Sequence, residues 1–134
     1  MELSTYLFFN GQCRQAFQFY EKALNGKIEF MMTYGESPEK EKCAPQDADK
    51  IMHVRLRVGS HALMASDSPP QYYKTPQGFS VSFTAANKTD AERVFGELSQ
   101  GGTVTMPMAK TFWTEAFGMC VDRFGVSWMV GCEH

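Results

Sequence analysis

Two amphipathic stretches share a register 75 residues apart, Ala16 matching Ala91 and Tyr20 matching Phe95. In the first, Cys13, Ala16, Phe17, Tyr20, Ala23 and Leu24 recur at three- and four-residue spacing, and Asn25-Gly26 supplies a stop. In the second, Ala91, Val94, Phe95 and Leu98 form the apolar stripe, Thr89-Asp90-Ala91-Glu92 reads as a capping box and Gly101-Gly102 ends the run. Each helix follows a short run of aromatic or β-branched residues, 5–9 and 79–83. Each precedes three more extended runs, 27–34, 51–58 and 61–66 in the first half and 103–106, 115–122 and 127–132 in the second. The last two runs of each half meet at a tight glycine turn, Gly59 or Phe124-Gly125.

The order is therefore β-α-β-β-β, twice. It predicts an α+β chain of two tandem modules, each with a helix over one face of a curved four-stranded antiparallel sheet, the two free faces enclosing a cleft. One domain is expected, made of pseudo-repeats 1–67 and 79–134 joined by a linker at 68–78. Two polar, proline-bearing connections, 35–49 and 67–78, are expected at the surface. Tyr72 and Tyr73 in the second are equally placed to fold back as a lid.

Composition removes several function classes. A chain of 134 residues is about one domain's worth. The net charge is −2 and no basic run exceeds two neighbouring Lys or Arg, so a nucleic-acid partner is not expected. No apolar run approaches the roughly 18–20 residues of a membrane span, and the start Met1-Glu2-Leu3-Ser4-Thr5 has no basic, apolar leader, which predicts a cytoplasmic protein. The four cysteines, Cys13, Cys43, Cys120 and Cys132, are too scattered for a zinc knuckle or redox pair and are expected as reduced thiols. No phosphate loop, dinucleotide fingerprint or nucleophile elbow is present.

Several elements together resemble the vicinal oxygen chelate superfamily of glyoxalase-like proteins, and within it the PhnB-like branch. They are the tandem plan, Tyr6-Leu7-Phe8-Phe9-Asn10-Gly11, Ala16-Phe17-Gln18-Phe19-Tyr20, Ile51-Met52-His53-Val54, Leu63-Met64-Ala65-Ser66-Asp67, Thr111-Phe112-Trp113, and the stretch 122–130 with Asp122-Arg123-Phe124-Gly125-Val126 and Trp128-Met129. The resemblance implies a homodimer with clefts for a small organic ligand. In many members it also implies a divalent metal held by a His or Gln early in each half's first strand and a Glu in each half's last strand. Members of this branch have carried a demethylubiquinone methyltransferase label, but the chain has no glycine-rich strand-to-helix turn of the kind common methyltransferases use.

Carried onto this chain, the first-strand positions fall at Thr5 and at Ser80 or Ser82, and the carboxylate positions, counted from the glycine turns, at Leu63 and Met129. Hydroxyls, Leu and Met do not make the imidazole and carboxylate set that holds Zn²⁺, Ni²⁺ or Fe²⁺, so no glyoxalase-type metal and no cofactor are expected. Candidate ligand contacts are His53, Leu63, Asp67, Phe112, Trp113, Glu115 and Met129. His53 interrupts an apolar strand as a possible base or as a hydrogen-bonded structural residue. Asp67 and Glu115 stand at strand ends as a possible carboxylate pair or as solvated charges. Phe112-Trp113 suits a pocket wall or a dimer contact, Trp128 the core, Asp122-Arg123 a turn with a local ion pair, and His61 and His134 solvent. The function expected is binding of a small organic molecule in an apolar cleft without metal, as binding protein or enzyme. The alternatives are a metal-dependent lyase or dioxygenase with His53 and Asp67 among its ligands, and a drug-sequestering protein of the bleomycin-resistance kind.

Overall fold

A computed structural model of the chain describes residues 1–133; His134, expected in solvent, lies outside the described residues. The chain divides into two compact units, Met1–Lys74 and Thr75–His134. The first contains β1 (Thr5–Phe9), α1 (Cys13–Ala23), β2 (Lys27–Thr33), β3 (Ile51–Val58) and β4 (His61–Asp67), with sheet order β1-β4-β3-β2. The second contains β5 (Val81–Ala85), α2 (Lys88–Ser99), β6 (Thr103–Ala109), β7 (Phe117–Val121) and β8 (Ser127–Cys132), in the equivalent order β5-β8-β7-β6.

The sheets are mixed, which corrects the wholly antiparallel arrangement. β1 pairs parallel with β4, and β5 with β8, while the other neighbours are antiparallel. Each helix carries the chain back so that the next strand runs in the direction of the first. Two reversals follow, and the fourth strand therefore arrives parallel to the first. The strand expected at 79–83 begins at Val81 instead, and Phe79 is half exposed ahead of it. The capping box expected at Thr89 is replaced by Asn87, whose side chain accepts from the Asp90 N–H at 2.9 Å, so α2 starts two residues earlier.

Alternation decides which side chains meet the helix. Leu7 and Phe9 of β1, Val54 and Leu56 of β3, and Leu63 and Ala65 of β4 are buried beneath α1, where Phe17 meets Phe9 edge-on at 6.2 Å and Tyr20 at 5.5 Å. Under α2 lie Cys120, Trp128 and Val130, with Val94, Phe95 and Leu98 from the helix. Each fully buried Leu, Val or Phe contributes about 1.5–3 kcal/mol, enough in sum to fix the strand register. Gly118 lets α2 sit close, since a Cβ there would stand 2.8 Å from the Phe95 ring. α1 ends with Asn25 in the left-handed region at φ 53°, and a Cβ on the following Gly26 would lie 2.6 Å from the Arg57 carbonyl oxygen.

The connection after β2 consists of three short 3-10 turns, Tyr34–Glu36, Lys40–Lys42 and Pro45–Asp47. It is tied to β4 where the Tyr34 hydroxyl donates to the Asp67 carbonyl at 2.7 Å. Tyr72 is largely exposed and Tyr73 half-buried, after a turn in which both N–H groups donate to Pro69.

Candidate functional site

Each sheet has one face under its helix and one face without it. In the first unit the second face carries Tyr6 and Phe8 of β1, Met64 of β4, His53, Arg55 and Arg57 of β3, and Phe30 and Met32 of β2. Register aligns Tyr6 with Met64, Met64 with Arg55, and Arg55 with Phe30 in one row across the sheet. An irregularity between Ile28 and Phe30 lets Glu29 reach the same side.

His53 is the centre of an aromatic cluster. Its Nδ1 lies 3.1 Å from the Tyr6 hydroxyl, its ring stacks on Tyr6 at 5.7 Å, and Phe30 approaches it at 5.8 Å. Phe8 tilts against Tyr6 at 5.1 Å. Tyr6, Phe8 and Phe30 are 37%, 53% and 43% exposed, an unusual concentration of accessible rings on one sheet face. Next to them Arg55 bonds Glu29 through Nε at 3.3 Å and Glu2 through Nη2 at 3.1 Å, and Arg57 bonds Glu29 at 2.7 Å. The Arg57 and Arg55 guanidinium groups lower the Glu29 carboxyl from its ordinary value, and the Ser4 hydroxyl, then Arg55, do the same for Glu2.

The equivalent face of the second unit is dominated by sulfur. Ser82, Met129, Met119 and Met106 are successive register partners across β5, β8, β7 and β6. Phe117 lies on the same face, and Trp113 meets its ring edge-on at 5.5 Å while contacting Phe112 at 4.8 Å. Phe112 is almost wholly exposed and Trp113 about half. Flexible thioethers beside aromatic rings make a surface that adapts to varied apolar shapes.

The expected site residues thus part company. His53 and Met129 lie on the helix-free faces of their units, while Phe112, Trp113 and Glu115 sit in the exposed stretch before β7. Leu63 is 6% exposed on the α1 face, and its neighbour Met64 points the other way. Asp67 also lies off the helix-free face. It shares the α1 face with Phe9 and is buried, with Oδ1 accepting from the Gly11 and Cys13 N–H groups at 2.9 and 3.0 Å and Oδ2 from Ile51 at 2.9 Å. It ties the α1 entry and the β3 start to β4, on the face opposite His53. Asp122 plays a similar part in the second unit, accepting from the Phe124 and Val126 N–H groups and from Trp128 Nε1 at 2.8, 3.0 and 2.9 Å. Trp128 is core, 1% exposed. Tyr6, Phe30, Arg55 and Glu29 escaped the sequence reading, although the i, i+2 spacing of His53, Arg55 and Arg57 puts those three on one face.

A separate pocket of about 500 Å³ in the first unit lies between the 3-10 turns and the chain after β4, lined by Tyr34, Cys43, Lys50, Met52, Asp67 and Pro69 among others. Among the described residues no group of three or more His, Cys, Asp or Glu is gathered to hold a metal ion. Nor is any helix among them long and apolar enough to cross a membrane.

Paired β-α-β-β-β modules with a mixed four-stranded sheet each define a glyoxalase-like fold. A glyoxalase/bleomycin resistance protein/dioxygenase family enzyme from Burkholderia phytofirmans matches it at TM-score 0.66, with 11% identity over 98% of this chain and 97% of that one. The chain belongs to the family described as 3-demethylubiquinone-9 3-methyltransferase, whose model matches residues 1–131. It is similar to protein PA1353 from Pseudomonas aeruginosa, with 50% identity and TM-score 0.92 over 99% of this chain and 98% of that one. It is also similar to protein YjdN from Escherichia coli, 28% identical over 97% of this chain and 94% of the other. A PhnB protein from Bacillus cereus shares the fold at TM-score 0.82 and 22% identity, over 98% of this chain and 99% of that one.

Proposed function

We propose that this PhnB-like vicinal oxygen chelate protein binds a small organic molecule on the helix-free sheet faces, without a glyoxalase-type metal. The observation that carries the reading is the residue set on those faces. Strand alternation shifts the superfamily's ligand positions from Thr5 and Leu63, which share a face with the helix-covered residues of β1 and β4, to Tyr6 and Met64. In the second unit it selects Ser82 and Met129. Phenol, hydroxyl and two thioethers do not fit a Zn²⁺, Ni²⁺ or Fe²⁺ ion of the glyoxalase kind. They suit apolar and aromatic contact instead, with His53 and Tyr6 as polar anchors.

The metalloenzyme alternative loses its ligand pair, because Asp67 has both oxygens engaged on the face opposite His53. The methyl-transfer activity in the family's description is not carried over. Each helix here is entered from a short turn, Asn10-Gly11-Gln12 or Ala86-Asn87, rather than a glycine-rich one. We also assign a homodimer, since Met106, Phe112 and Trp113 in the second unit leave apolar surface for a second copy to cover.

The test is a small-molecule panel read by NMR with methyl-labelled methionine and labelled histidine. The reading expects saturable shifts at His53, Met64, Met119 or Met129, insensitive to chelator. Shifts confined to Met52 and the pocket beside Tyr34, or binding that requires added metal, would overturn it.

A further inference from the structure

The charge balance on the first unit's open face points to the ligand's chemistry, an inference that rests on the small-molecule reading above. Arg55 and Arg57 share one carboxylate from within the sheet, Glu29, whose Oε1 meets Arg55 Nε at 3.3 Å and whose Oε2 meets Arg57 Nη2 at 2.7 Å. These three residues leave one positive charge over. It is neutralised by Glu2, outside the sheet in the segment before β1, with Oε1 and Oε2 at 3.1 and 3.2 Å from Arg55 Nη2.

The two carboxylates are not held equally. The Glu29 side chain is 29% exposed and engages both arginines, whereas Glu2 is 54% exposed and its recorded bonds are to Arg55 and to Ser4 in its own segment. An ion pair with so exposed a partner adds little, so an external anion competes with it on nearly even terms. Arg55 itself is only 32% exposed, on the same face as the Tyr6, His53 and Phe30 rings and directly opposite Phe30 in register. A guanidinium fork matches a planar carboxylate, and flat rings match a flat ring.

We propose that this face takes an aromatic carboxylate, its ring against Tyr6, His53 and Phe30 and its carboxylate on Arg55, and that Glu2 is an internal stand-in which the ligand displaces. Glu2 therefore sets the affinity of the site by competition, and removing its charge frees the guanidinium without touching the ring contacts.

The experiment is calorimetric titration of the full chain, untagged at its N-terminus, with 2-naphthoate and with the neutral 2-naphthamide. Glu2→Gln is expected to tighten naphthoate binding about two- to fivefold, the worth of an exposed ion pair, and to leave the amide unchanged. Arg55→Gln, checked for native circular dichroism, is expected to weaken naphthoate about tenfold or more with little effect on the amide. Because Glu2 lies in an exposed segment before the first strand, its variant reports even if the Arg55 variant fails to fold. Equal binding of acid and amide, unaltered by Glu2→Gln, overturns the carboxylate inference while leaving small-molecule binding intact. Binding of neither at about 1 mM also overturns it, and the NMR panel then judges the broader reading separately.

Discussion

Replacing Asp67 by Asn removes a charge and exchanges one acceptor for a donor while preserving shape, which makes it a sharp probe of how the first unit is held together. The carboxylate accepts three backbone N–H groups, from Gly11, Cys13 and Ile51, all between 2.9 and 3.0 Å. Hydrogen bonds to a charged acceptor contribute about 1.5–3 kcal/mol each, and a buried donor left without a partner costs about 1–3 kcal/mol. Asn can keep the two bonds at Oδ1 in weaker, neutral form, but its NH₂ group then faces the Ile51 N–H. The expected loss is about 2–4 kcal/mol. With a urea slope of about 1.5–2 kcal/mol/M, the midpoint followed by far-ultraviolet circular dichroism should fall by about 1–2.7 M. Asp67→Ala, which orphans all three donors, should lose more, and the exposed Asp49→Asn should stay within about 0.5 kcal/mol of the parent. A midpoint shift below about 0.3 M for Asp67→Asn would refute the role assigned to it.

Burial pushes the Cys13 thiol well above its ordinary value near 9, with the Asp67 charge adding to the effect. The folded state thus keeps a proton that the unfolded chain gives up, so this stability is complete below about pH 9 and is lost as pH rises beyond it. Denaturation between pH 7 and 10 should show the decline, and iodoacetamide at pH 8 should label Cys43, which is half-buried, before Cys13. Trp128→Phe removes the indole bond to Asp122 Oδ2 at 2.9 Å and should cost about 1–3 kcal/mol by urea titration. Gly102→Ala would drive a Cβ into the Val121 carbonyl oxygen, and a thermal melt should fall by several degrees, by about 4 °C or more.

The repeated plan was legible because strand and helix periods are local. The runs at 5–9, 51–58 and 127–132 coincide with β1, β3 and β8, and the 75-residue register marks equivalent helix positions. The start of β5 was misplaced by two residues because Phe79 carries strand-like character but precedes the pairing, which begins where Val81 meets Trp128. Counting from the glycine turns put Leu63 and Met129 in equivalent positions, each the third residue of its strand. β4 turns its third and fifth residues to the helix whereas β8 turns its second and fourth, so the same count lands on opposite faces.

The site was less legible, for a physical reason. Asp67 looked like a strand-end charge because its donors lie 16 to 56 residues away, and the cluster of Tyr6, Phe30 and His53 forms only when β1 and β2 flank β4 and β3. No local period reports such contacts. What sequence did carry was residue type: no position assigned to a superfamily metal ligand, before or after the shift of face, holds an imidazole or a carboxylate.

The metal-free reading meets its most direct test in elemental analysis of the untagged protein, as purified and after incubation with Ni²⁺, Zn²⁺, Mn²⁺ and Fe²⁺ followed by desalting. Retained metal far below one ion per chain in every case is the expected result. A stoichiometric ion that survives desalting and is lost in His53→Ala would contradict the account and return the open faces to metal-dependent chemistry.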